Sequence, residues 1–126
     1  MIPNSSLHSL FLSGFEKLEK EDLHPSIPQL RKLRSLDVSR CYNLDDSTLQ
    51  LLAQHVHPTL EVLYIKGLRK VTDVGMKAIC DACTKLEVLE ISNVPLTDEG
   101  GMAIQKPVTY THRTLPTIYQ TQISTY

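Results

Sequence analysis

The chain has 126 residues and a formal net charge of −1, so it holds at most one domain and carries no field that would draw it to nucleic acid or an anionic membrane. Three cysteines in a chain of this length do not make a disulfide framework; they suggest a reducing compartment, cytoplasmic or nuclear. No apolar run approaches the roughly 20 residues of a membrane span.

The first apolar stretch runs from Leu7 to Phe15. It is short, lacks a basic flank and is in register with later segments, so it reads as a strand rather than a signal peptide. Its pattern Leu7-x-x-Leu10-x-Leu12 returns as Leu33-x-x-Leu36-x-Val38, Leu60-x-x-Leu63-x-Ile65 and Leu86-x-x-Leu89-x-Ile91, at steps of 26, 27 and 26 residues. Spacings of three then two do not describe a helix face. They fit a short strand entered through a bend, predicted at 33–38, 60–65 and 86–91. Two further columns follow, at Phe15, Cys41, Leu68 and Val94 and at Leu18, Leu44, Val71 and Leu96.

Behind the fifth column stand Asp45-Asp46, Thr72-Asp73 and Thr97-Asp98. Such side chains accept backbone N–H bonds at helix starts. Leu49, Leu52 and Ala53, and likewise Met76, Ile79 and Cys80, recur at spacings of three and four, which predicts helices over about 46–55 and 73–82. In the first unit Pro25 and Pro28 disfavour a helix, so irregular or 3₁₀ structure is expected across 22–29. In the fourth, Gly101 takes the column of Leu49 and Met76. Beyond Lys106 the columns are lost, and a fifth strand due near residue 112 is not supplied. The expected organisation is a repeat domain over 1–105 and a non-repeat, loosely ordered tail over 106–126, with a partner-binding segment or an extra cap strand as the alternatives.

A period near 26 with this apolar signature predicts an α/β leucine-rich repeat solenoid. A short parallel sheet would line its concave face, with helices on the convex face. One such unit cannot bury its own apolar face; stacking does. Leu36-Asp37-Val38-Ser39-Arg40-Cys41, Val71-Thr72-Asp73-Val74-Gly75-Met76, the run Cys83 to Ile91 and Leu96-Thr97-Asp98-Glu99-Gly100 resemble the cysteine-containing class of leucine-rich repeats. That class is common in the substrate arm of F-box ubiquitin ligase receptors. The resemblance implies a protein-interaction module of that kind; a stand-alone scaffold or assembly factor is the alternative. The helical F-box that binds the Skp adaptor is not visible ahead of Leu7, which leaves a fragment, a short isoform or a free-standing repeat protein.

Chemistry is sparse. Cys80-Asp81-Ala82-Cys83 is a C-x-x-C, but at the end of a predicted helix, where the dipole disfavours a thiolate. Packing as small apolar groups is the expectation. His55 and His57 fall near the equivalent stretch of the preceding unit, yet their spacing is not a usual zinc spacing. Asp45-Asp46 reads as a helix cap, and Gly100-Gly101 lacks the Lys-Ser/Thr of a phosphate loop. No enzyme activity, cofactor or metal is expected.

The outward strand positions are the candidate binding surface. One residue after each origin stand His8, Arg34, Glu61 and Glu87; four after, Phe11, Asp37, Tyr64 and Glu90; six after, Ser13, Ser39, Lys66 and Ser92. A protein partner is expected on Arg34, Asp37, Glu61, Tyr64, Glu87 and Glu90, with Tyr64 as the central aromatic. Self-association through uncapped ends is a further expectation.

Overall fold

The computed structural model describes residues 6–99 and the backbone of 109–111. In chain order these form β1 (Ser9–Phe11), α1 (Lys20–Leu23), a 3₁₀ helix (His24–Gln29), β2 (Ser35–Asp37), α2 (Asp46–His55), β3 (Val62–Tyr64), α3 (Asp73–Ala82), β4 (Val88–Glu90) and β5 (Thr109–Thr111). The strands make one parallel sheet in the order β1-β2-β3-β4-β5. Among the described residues no helix is long and apolar enough to cross a membrane.

The sheet register follows the repeat register. Leu10 pairs with Leu36, Leu36 with Leu63 and Leu63 with Leu89. Leu36, Leu63 and Leu89 are fully buried. The first and third columns around them, Leu33, Val38, Leu60, Ile65 and Ile91, close the same core. Each three-residue strand is the centre of the six-residue stretch expected from the spacing.

α2 and α3 coincide with the predicted spans. Asp45 caps α2, its carboxylate accepting from the Ser47 amide at 2.9 Å. Thr72 caps α3, its hydroxyl accepting from the Val74 amide at 3.2 Å. α2 buries Leu49 and Leu52, and α3 buries Met76, Ile79 and Cys80. In the first unit the two prolines stand within or beside the 3₁₀ helix, which still seats Ile27 in the core. Pro25 is at the start of that helix, where its missing N–H costs nothing.

Asp46 departs from the cap reading. It is the first helical residue of α2, and its carboxylate reaches into the next unit. There it accepts from the Thr72 amide at 2.7 Å, the Thr72 hydroxyl at 2.5 Å and the Gly75 amide at 3.1 Å. Asp73 repeats this one unit on, accepting from the Thr97 amide at 2.9 Å and from the Thr97 hydroxyl. Each aspartate therefore ties its own helix start to the next one.

Two expectations are corrected. Phe15 shares a column with the buried Cys41, Leu68 and Val94, yet it is 58% exposed; no unit among the described residues precedes it to cover the ring. Ser39 and Ser92, expected to face outward, are buried, and the Ser39 hydroxyl accepts from the Lys66 amide at 3.2 Å. A strand forms within the stretch read as loosely ordered, where an extra cap strand was the alternative. Tyr110 pairs with Leu89, 21 residues on rather than 26, which the fixed period could not anticipate. The rest of 106–126 and Gly101 lie outside the described residues.

Candidate functional sites: the outer sheet face and a basic cleft

Alternation along each strand sends its middle residue inward and the two flanking ones outward. Asp37, Tyr64 and Glu90 are register partners, with Phe11 ahead of them, so they form one row across the sheet. Arg34, Glu61 and Glu87 form a second row. The Glu61 amide donates to the Arg34 carbonyl at 2.8 Å and the Glu87 amide to the Glu61 carbonyl at 2.7 Å. Asp37, Tyr64 and Glu90 thus share the outer face, and Arg34, Glu61 and Glu87 stand one residue ahead of their strands. Phe11 is 64% exposed, whereas Tyr64 is half-buried between its neighbours.

The charges are less available than the pattern alone suggests. Arg34 Nη2 lies 3.5 Å from Glu61 Oε2, a neighbouring-strand pair of the exposed, weak kind. The Asp37 carboxylate accepts from the Ser39 amide at 3.0 Å. Glu90 accepts from the Ser92 amide at 2.9 Å and the Ser92 hydroxyl at 2.7 Å. These two carboxylates hold the turns leaving β2 and β4. Glu87 is the exposed acid of the set.

The residue row between the two was missed. Ser9, Ser35, Val62 and Val88 stand two after each origin and pair in register. Val62 and Val88 are half-buried on the outer side of the sheet, a small apolar strip beside Tyr64. Period-two alternation counted back from Tyr64 and Glu90 would have found them.

The cysteines lie in the core: Cys41, Cys80 and Cys83 are free thiols and all are buried. Cys41 donates to the Leu12 carbonyl at 3.1 Å. Burial pushes its thiol up to about 11, which keeps it protonated and unreactive at neutral pH. His55 and His57 are exposed, with His57 Nδ1 3.1 Å from the Ala53 carbonyl oxygen. The Cys pair and the His pair therefore belong to different environments.

A second feature escaped the sequence. Seven after each origin, the chain turns out of its strand through positive φ: Gly14 at 87°, Arg40 at 60°, Gly67 at 79° and Asn93 at 63°. Glycine adopts this conformation without penalty and Asn tolerates it; Arg40 does so at a cost of order 1 kcal/mol. The turns of successive units line up and bound a shallow cleft of about 640 Å³, lined by Arg40, Tyr42, Lys66, Arg69, Asn93 and Pro95 with Gly67 between. The Arg69 guanidinium sits 5.2 Å from the centre of the Tyr42 ring. A Cβ on Gly67 would touch Arg40 Cγ at 3.5 Å and Tyr42 Cε1 at 3.6 Å. The signal in the sequence was the cations Arg40, Lys66 and Arg69, all just past strand ends.

Residues 82–104 match the family model described as Leucine Rich repeat. The matched stretch contains β4, with Leu86, Leu89 and Ile91 buried. The unit beginning at Leu60 pairs with it, the unit beginning at Leu33 pairs with that one in the same register, and both bury the same columns. The match at 82–104 and the repetition of that geometry upstream make the chain similar to leucine-rich repeat proteins.

Proposed function

We propose that the chain is a non-catalytic protein-interaction module whose units stack as a solenoid, with the sheet on its concave side. A protein partner docks on Arg34, Asp37, Glu61, Tyr64, Glu87 and Glu90, with Val62 and Val88 beneath it. Leucine-rich repeats generally mediate protein–protein contacts, and repeat stacks bind through the sheet face. The observation that carries the reading is the in-register row Phe11, Asp37, Tyr64 and Glu90. It holds two aromatic rings among charged groups, the composition of an interface centre. Nucleic acid and membranes are not its partners, and the buried free thiols favour an intracellular setting.

Within that class we favour the substrate-recognition arm of an F-box-type ubiquitin ligase receptor. The support is the sequence resemblance of 33–104 to that repeat class. A scaffold unrelated to ubiquitin is the second reading. Affinity capture of the gene product tagged at its native locus, followed by quantitative mass spectrometry, separates them. Co-enrichment of a Skp-type adaptor and a cullin supports the ligase arm; their absence from a capture that does recover a stoichiometric partner supports the scaffold. With that partner in hand, Tyr64→Ala is expected to weaken binding by about 2 kcal/mol if the ring is a hot spot. Glu87→Lys should reduce the salt sensitivity of binding. Full-strength binding by the double variant would move the interface off this face.

A further inference from the structure

We propose that the cleft lined by Arg40, Tyr42, Lys66 and Arg69 is a binding site for a compact phosphate-type dianion, such as a phosphate monoester. It uses none of the sheet-face residues, so its success or failure is independent of the reading above. Three cations from two successive units converge on one concavity. Among the described residues none of the three is paired with a carboxylate; the ion pairs found there are Lys20–Asp45, Arg34–Glu61 and Lys77–Asp81. Like charges placed together without counter-charges repel one another, and an anion between them relieves that repulsion. The Arg69 guanidinium is held over the Tyr42 ring, which orients its donors before any ligand arrives.

Backbone geometry points the same way. At the positive-φ turn, two of the four units use glycine, the unstrained solution. Arg40 occupies the same turn with a strained backbone, at a rim where a guanidinium is useful. Gly67, with no side chain of its own, leaves the floor between Arg40 and Tyr42 open. Asn93, the fourth member of the turn column, adds a neutral amide donor to the wall.

The ligand is compact rather than a polyanion. Outside this cluster the chain offers no basic surface for a polyanion: its overall net charge is −1. The adjoining sheet face carries Glu61, Glu87 and Glu90, which would repel an extended phosphodiester backbone. A single dianion fits within the cluster, where arginine and lysine together supply charge-assisted hydrogen bonds. The cleft volume lies in the range of small-ligand sites.

The test is an amide NMR titration of the full chain with inorganic phosphate, O-phosphoserine and a phosphoserine peptide library, each against sodium chloride at equal ionic strength. Saturable shifts at Arg40, Lys66, Gly67, Arg69 and Asn93 are expected with the phosphates and not with chloride. The Lys66→Gln, Arg69→Gln double variant should bind at least about tenfold more weakly while keeping its thermal melt, because both side chains are exposed. Lys77→Gln, on an exposed face of α3 and outside the lining of the cleft, should bind as the parent does. A phosphopeptide bound about tenfold more tightly than O-phosphoserine would assign the anion to a peptide; equal affinities would assign it to a free small ester, and both results support the site. Shifts equal to those in chloride, binding unchanged in the double variant, or displacement of phosphate by a single-stranded oligonucleotide at lower concentration would overturn it.

Discussion

Asp45 and Asp46 are neighbours with different partners. Asp45 faces its own helix start and the first unit: it accepts from Ser47 and from Lys20 Nζ at 2.9 Å. Burial alone would raise its pKa, but the bonds from Ser47 and Lys20 outweigh it and hold the carboxyl at about 2, below the ordinary 3.8. A carboxyl depressed by folding adds stability above its unfolded pKa, and that stability is lost as pH falls through the folded value. Urea midpoints are therefore expected to fall between about pH 4 and about pH 2, and Asp45→Asn should flatten that step. At neutral pH the same variant should lose about 1–2 kcal/mol, a figure reduced for a side chain 30% exposed. His24, with Nε2 2.8 Å from the Thr48 hydroxyl, is held low by burial and then by the charge of Lys20. Protonating it opposes folding, so a separate, milder loss should begin as pH drops below 6.5. Asp46 instead explains Gly75. A Cβ there would lie 2.5 Å from Asp46 Oδ1, 3.1 Å from Leu49 Cδ1 and 3.2 Å from Asp46 Cα. Helix propensity favours Gly75→Ala by up to about 1 kcal/mol. The clash with backbone and a buried leucine is expected to win, for a net loss of about 1–2 kcal/mol by thermal or chemical denaturation.

Between elements, the strands contribute little by themselves, because three residues of parallel pairing are a small ladder. Cohesion comes from the columns running across them. Leu63 pairs with Leu36 on one side and Leu89 on the other and is fully buried. Truncation to alanine removes contacts with both neighbouring units and leaves a cavity. Leu63→Ala is therefore expected to cost about 2–5 kcal/mol, read from the urea midpoint. A loss under about 1 kcal/mol would mean that the column relaxes around the gap. The helices are joined by a second device, the Asp46 and Asp73 carboxylates that bond the next helix start. Asp46→Ala leaves the Thr72 and Gly75 amides without that acceptor, and a loss of about 1–3 kcal/mol is expected.

For the molecule as a whole, stability is distributed along the stack, and each unit depends on the next. The first unit is the loosest described part: Leu7, Leu10, Leu12 and Leu18 are only partly buried, and Phe11 and Phe15 are exposed. β1 also has an unpaired edge among the described residues. Exposed apolar rings beside an open strand edge favour pairing with another chain. We expect the isolated 126-residue chain to self-associate with rising concentration, seen by light scattering. Phe11→Ser with Phe15→Ser should suppress it. A clean monomer over a wide concentration range would show that these rings are covered by something other than a second copy.

The repeat period, the buried columns at Leu36, Leu63 and Leu89, both helix spans and the proline-rich departure of the first unit were legible in the sequence. Each follows from local chemistry: apolar spacing, a capping side chain and a ring that removes an N–H. The outward row Asp37, Tyr64 and Glu90 was legible for the same reason, since strand alternation needs no knowledge of neighbours. What only the tertiary structure decided are the properties that depend on the adjacent unit. Phe15 is exposed although its column is buried elsewhere, because burial in a stack requires a unit on the other side. Asp46 ties two helices although its sequence reads as a cap, because its acceptor oxygens face the next unit. Gly75 looks like a weak point in a helix until the approach of Asp46 is seen. The cations Arg40, Lys66 and Arg69 lie up to 29 positions apart, and only the alignment of successive turns brings them to one cleft. A sequence lists one unit after another; stacking is what makes them neighbours.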